Sequence, residues 1–136
     1  MSTRLLAIGL MPANVVLAAC LRRRYDSVRI VSRALITREV ERWRQLPDLQ
    51  EITIVLDSVG APKQIHDGLA ALLKSGVTVT WVCRKKTTNI ERVAHGLRGL
   101  DLRAGLSQEG YLEQEGLLDS KVKKLFKASG DPGSVL

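Results

Sequence analysis

Seven side chains carry the chemistry legible in this sequence: Asn14, Arg33, Asp57, Lys63, Arg84, Lys85 and Lys86. Five are cationic and one is a carboxylate, so the chemistry they suit is the holding of an anion, a phosphate above all. They do not suit a pair of hard metal ions, which need several oxygen or imidazole ligands. At an effective dielectric of about 20, a dication about 6 Å from one such cation is repelled by on the order of 5 kcal/mol. No residue is singled out as catalytic, and no cofactor is expected. The chain lacks Gly-x-Gly-x-x-Gly and a Walker loop, which leaves a bound dinucleotide and triphosphate hydrolysis unsupported.

Those residues share a site only if the surrounding elements bring strand ends to one edge. Glu51 to Leu56 is a short apolar run rich in β-branched residues, as in a strand buried on both faces of a parallel sheet. Asp57 follows it directly. Gly60 and Pro62 then open a helix whose Ile65, Leu69, Leu72 and Leu73 recur at helical spacing up to Gly76. Val77 to Val82 reads as the next strand, and Cys83 to Lys86 leaves its far end. In such a βαβ unit both loops after the carboxyl ends of the strands open on one edge, which predicts a common mouth for Asp57, Lys63, Arg84, Lys85 and Lys86.

The rest of the chain repeats the alternation. Arg4 to Leu10 reads as the first strand and Gly9 to Asn14 as its loop. A helix is expected from Pro12 to about Tyr25 with Val15, Val16, Ala19 and Cys20 turned inward. Ser27 to Val31 is the second strand, with Ser32 and Arg33 leaving it. Thr37 is the expected cap of a helix over 38–46, in which Val40, Trp43 and Leu46 pack. Thr88-Asn-Ile-Glu91 reads as a capping box for a helix to about Leu100. Residues 101–118 show no firm period and are expected to be loop with a short strand or turn of helix. Asp119 caps a last, lysine-rich helix over 120–128. The pattern predicts one Rossmann-like α/β domain over 1–129, a mainly parallel sheet of four or five strands with helices on both faces, and a flexible tail at 130–136.

The chain has 136 residues, 45% of them hydrophobic, and a net charge of +7 from 21 Lys and Arg against 14 Asp and Glu. That balance favours a polyanionic partner. Cys20 and Cys83 form no disulfide framework or metal spacing, which fits a reducing, cytoplasmic setting; Cys83 beside Arg84 is either a strand-end residue or a reactive thiol. Leu17-Ala-Ala-Cys20 looks like a lipoprotein cleavage box, but Pro12 and Asn14 interrupt the apolar run and three arginines follow it. No run reaches the length of about 18 apolar residues that a membrane span requires, so no membrane partner is expected. His66, close to Asp57 in sequence, is a better acid–base candidate than His95, which stands alone on its helix.

The order and spacing of these segments resemble the N-terminal half of the DHH phosphoesterases. Met11-Pro-Ala-Asn14 followed by Leu17-Ala-Ala-Cys-Leu21 occupies the family's Asp-x-Asp-Gly position, Asp57 its second aspartate, and Cys83-Arg84-Lys85 its Asp-His-His. The resemblance implies two manganese ions held by motif aspartates and histidines, of which only Asp57 is present. It therefore implies a domain that binds phosphate or nucleic acid without catalysis, as a binding or assembly subunit. Leu6-Ala-Ile-Gly9 with Pro12, and Asp57 with Lys63, also resemble the ligand loops of CARF domains. That resemblance implies a sensor or metal-independent ring nuclease for cyclic oligoadenylate in CRISPR defence, working as a homodimer. A third reading is a basic adaptor that docks a larger protein complex through its last helix.

Overall fold

The computed structural model describes residues 2–129; the expected tail at 130–136 lies outside the described residues. Five strands form one parallel sheet: β1 (Thr3–Gly9), β2 (Ser27–Val31), β3 (Leu49–Val55), β4 (Thr78–Cys83) and β5 (Asp101–Ala104), in the spatial order β2-β1-β3-β4-β5. Every adjacent pair is parallel. Six helices accompany them among the described residues: α1 (Pro12–Leu21), α2 (Ile36–Arg44), α3 (Pro62–Lys74), α4 (Thr88–Ala94), α5 (Gln108–Gln114) and α6 (Ser120–Ser129). This is a doubly wound, Rossmann-like α/β fold.

The apolar runs noted in the sequence divide between two cores because successive side chains on a strand point to opposite faces. Leu5 and Ala7 on β1, Ile52 and Ile54 on β3, and Val79 and Trp81 on β4 meet α2, α3 and α4. Leu6, Ile8, Val55 and Val82 point the other way, toward α1, α5 and α6. Each such Leu, Ile or Val contributes about 1.5–3 kcal/mol on full burial. Trp43 lies in the first core as packing, and Phe126 docks α6 against α1 while the lysines of α6 stay exposed.

Several expectations need correction. In α1 the buried residues are Ala13, Asn14, Leu17 and Leu21, whereas Val15 is 65% exposed and Ala19 is exposed. The helix is apolar nearly all round, so its period did not mark the buried face. It stops at Leu21, and a 3-10 turn over Arg22–Arg24 leads to an extended Tyr25. Helix α2 starts at Ile36 with Leu35 as its cap residue, whose amide donates to the Ser32 hydroxyl at 3.3 Å, so Thr37 is inside the first turn. Leu46 lies past the helix and is exposed.

The cap of α4 is Thr87, whose hydroxyl accepts from the Ile90 amide at 3.2 Å, one residue before the expected Thr88. That helix ends at Ala94, well short of Leu100. Gly96 and Gly99 have φ values of +70° and +91°, left-handed conformations that turn the chain, and Leu97 and Leu100 still reach the core after the break. Residues 101–118 hold more order than their composition suggests, since they supply β5 and α5. The Asp119 cap is as expected, its carboxylate accepting from the Val122 amide at 2.8 Å.

Candidate functional site

From β1 the chain moves outward to β2 and then returns past β1 to β3. The order therefore reverses between β1 and β3, where the loops after the two carboxyl ends diverge and leave a crevice. A cavity of about 260 Å³ occupies this point. Gly9 and Met11 after β1, Val31 to Arg33 after β2, and Val55 to Ser58 at the end of β3 line it, with Asn14 and Gln108 beside them. Most of the wall is apolar; Ser32, Arg33, Asp57 and Ser58 are polar residues in its lining. An ideal Cβ on Gly9 would lie 3.0 Å from Leu56 Cδ1, so a side chain there would press on the wall that separates β1 from the end of β3.

Asn14 was expected on an open loop. Instead it sits in the first turn of α1 with only 2% of its surface exposed, behind Pro12 at the helix start. Its Nδ2 donates to the Gly9 carbonyl at 2.6 Å, and its Oδ1 accepts from Gln108 Nε2 at 2.9 Å. The interaction spans 94 residues and fastens α5 to the first βα turn. Gln108 was not singled out in the sequence: it lies in a stretch without a period, and a lone glutamine carries no spacing signal. Its one local cue is Ser107, the cap whose hydroxyl accepts from the Gly110 amide at 3.0 Å.

Asp57 and Arg84 are brought together, but as a pair. The Arg84 backbone amide donates to Asp57 Oδ1 at 2.8 Å and its Nε to Oδ2 at 2.7 Å, while Nη2 lies 3.7 Å from Met11 Sδ. Arg84 thus braces the ends of β3 and β4, with Trp81 Nε1 donating to the Leu56 carbonyl at 2.9 Å just beneath. Beside them Cys83 is buried, and desolvation, reinforced by the Asp57 charge and opposed by Lys86, pushes its thiol up to about 11. That position is the strand-end alternative; a reactive thiol would need its pKa lowered.

Of the expected common mouth, Asp57 and Arg84 meet, and Asp57 lines the cavity. Lys63 stands 88% exposed on α3 and pairs with Asp67 at 3.2 Å, while Lys85 and Lys86 project from the exposed β4–α4 loop. None of these three lysines lines the cavity. Arg33 does, and it makes no ion pair among the described residues; it also borders a second hollow of about 370 Å³ formed with Ser58, Thr87, Thr88 and Asn89. His66 is likewise elsewhere: Nδ1 faces Asp67 Oδ1 at 3.2 Å and Nε2 the His95 carbonyl at 2.8 Å, which ties α3 to the end of α4. The hydrogen bond from His66, then that from Lys63, holds the Asp67 carboxyl below its usual range.

The three positions that resemble DHH motifs follow the adjacent strands β1, β3 and β4. Their chemistry does not fit a pair of manganese ions. Asn14 is bonded to Gly9 and Gln108, Asp57 is engaged by Arg84, and the third position offers Cys83, Arg84 and Lys85. Among the described residues no three His, Cys, Asp or Glu side chains gather where they could hold a metal ion. No described helix is long and apolar enough to cross a membrane.

No family model matches the chain, and no curated protein matches it. Among solved structures, S. aureus homoserine dehydrogenase at pH 7.0 aligns over 77% of this chain and 33% of its own length, with 14% identity and a TM-score of 0.42. The chain thus spans about a third of that protein, and so weak a likeness carries no functional argument.

Proposed function

We propose that this chain is a non-catalytic domain that binds a phosphate-bearing ligand, a nucleotide or short oligonucleotide, in the cavity between β1 and β3. The observation that carries the reading is the charge arrangement there. Asp57 is already neutralised by Arg84 at 2.7 Å, which leaves Arg33, lining the cavity beside Ser32 and Ser58, as a cationic partner for an entering anion. Arginine suits that task because its planar fork offers paired donors to phosphate oxygens. The apolar wall behind it gives the remainder of a nucleotide a dry surface. The net charge of +7 adds long-range attraction for such a ligand.

This is the DHH-like reading with its site moved from the lysine loop to Arg33. The cyclic-oligoadenylate alternative would need Lys63 and Arg84 on the ligand phosphates, and those side chains are turned to Asp67 and Asp57. Binding is accordingly favoured over cleavage. Two free cysteines accord with a reducing compartment, and we place the protein in the cytoplasm. The residues that the reading uses all belong to one chain.

The test is calorimetric titration of nucleoside monophosphates and short oligonucleotides in EDTA, followed by mass spectrometry of the recovered ligand. The expected result is metal-independent binding that falls at least tenfold in Arg33→Ala, with the ligand intact. Failure of every phosphate ligand to bind contradicts the proposal, and cleavage in EDTA contradicts its non-catalytic part.

A further inference from the structure

Two carboxamides are sunk into the wall of the β1–β3 cavity, and their hydrogen bonds fix which atom each presents. The Gly9 carbonyl can only accept, so the Asn14 group facing it at 2.6 Å must be the NH₂. Asn14 Oδ1 then faces Gln108, and the Gln108 group 2.9 Å away must in turn be an NH₂. The chain of donors therefore leaves Gln108 Oε1 at its end. Gln108 is 5% exposed and lines the cavity, yet Oε1 has no hydrogen-bond partner among the described residues. It is not among the side-chain atoms sealed away without a partner, which are Glu39 Oε2 and Trp43 Nε1, so the space it reaches is open. An acceptor that no group among the described residues satisfies, and that faces open space from a largely buried side chain, is available to a ligand that donates to it.

We infer that Gln108 Oε1 is a specificity element that accepts a hydrogen bond from the exocyclic amino group of a nucleobase, held in this cavity while Arg33 binds the nucleotide's phosphate. The inference rests on the phosphate-ligand reading above and deepens it. The cavity supports the assignment in two ways. At about 260 Å³ it falls just under the range of roughly 300–1,000 Å³ that holds a complete drug-sized ligand, so it takes one ring system while the sugar and phosphate lie at the rim. Its walls, Val31, Val55 and Leu56, are apolar and suit the faces of a base, with one buried acceptor to read its edge. Asn14 acts through Gln108 as a positioning residue, because its Oδ1 holds the Gln108 amide in the orientation that presents oxygen.

Recognition by an acceptor inside an apolar site discriminates strongly against an analogue that lacks the donor. The test compares adenosine 5′-monophosphate with purine riboside 5′-monophosphate, which differs by the amino group alone, and with ribose 5-phosphate. With the parent protein, the amino nucleotide is expected to bind about tenfold tighter than purine riboside 5′-monophosphate. In Gln108→Leu, checked for an unchanged melting profile, that preference should vanish while ribose 5-phosphate binds as before. Equal affinity of the parent for the two nucleotides, with both still dependent on Arg33, overturns this inference and leaves the phosphate site standing. If neither nucleotide nor ribose 5-phosphate binds the parent, the underlying reading fails and this inference with it. Because the analogue comparison uses the unaltered protein, it decides the matter even if Gln108→Leu does not fold.

Discussion

The layer formed by α2, α3 and α4 meets the sheet through Ile52, Ile54, Val79 and Trp81, whereas the layer of α1, α5 and α6 meets a face that includes Thr53 and Thr80. The four polar residues buried among the described ones, Asn14, Thr53, Thr80 and Gln108, belong to that second side. Thr53 shares a 2.7 Å hydrogen bond with the Tyr25 hydroxyl, and Tyr111 on α5 donates to Glu115 at 3.3 Å while Arg103 covers its ring. One layer is held by shape and apolar area. The other spends part of its interior on satisfied polar contacts, and it supplies the Asn14–Gln108 pair that reaches the cavity. The difference teaches where adaptation to a ligand was possible: the few polar atoms inside the first layer, such as Trp43 Nε1, are sealed from any ligand, while the second layer brings a polar pair to the cavity wall and leaves one atom for binding.

The contrast breaks most visibly under truncation. Leu69→Ala in the apolar layer should cost about 2–5 kcal/mol in urea unfolding, because the site is fully buried and leaves a cavity. Thr53→Val in the polar layer should cost less, about 0.5–1.5 kcal/mol, through the lost hydrogen bond to the Tyr25 hydroxyl. Equal costs would erase the distinction. Gly68→Ala tests the apolar layer from the opposite side. A Cβ there would collide with Val40 Cγ1, where α3 approaches α2, and overpacking of this kind costs about 1–3 kcal/mol.

At the site itself, Asp57→Ala should lower stability by about 1–2 kcal/mol, since two hydrogen bonds from Arg84, one of them charge-assisted, are lost. The same change removes the carboxylate from the cavity and should tighten phosphate binding severalfold. Weaker binding in that variant would show that Asp57 serves the ligand directly. The sign for Cys83 is also determined. Its thiol is raised from 9.0 to about 11 in the fold, so the stability it lends is complete below pH 9 and is lost as pH rises toward 11. Denaturant midpoints across that window, for the parent and Cys83→Ala, should diverge on the alkaline side, and Cys83 should resist iodoacetamide at pH 8 until the protein unfolds. The smallest effect belongs to Lys63→Ala. Its pair with Asp67 lies in solvent, so neither stability nor nucleotide affinity should move measurably.

Much of the fold was legible. The apolar runs of β1, β3 and β4, the Pro12 and Pro62 helix starts and the β-branched strands carry their period in the sequence, and the strand-end rule located the edge that holds the cavity. What was lost is what two distant segments decide together. Arg84 looks like a phosphate ligand until Asp57, 27 residues away, is seen to hold it. Asn14 looks like a loop residue until α5 covers it, and Gln108 has no meaning until β5 and α5 take shape in a stretch that shows no period. Val15 was placed inward because a uniformly apolar helix hides its own orientation. Lys63 belonged to the right edge of the sheet but to a helix flank turned away from the cavity.

The most direct test is a titration of the ¹⁵N-labelled protein with adenosine 5′-monophosphate in EDTA, followed by two-dimensional amide NMR. The account expects the largest shifts at Gly9, Arg33 and Ser58 and in the side-chain NH₂ signals of Asn14 and Gln108. Shifts confined to Lys63, Lys85 and Lys86 or to the lysines of α6, or none at saturating nucleotide, would contradict it.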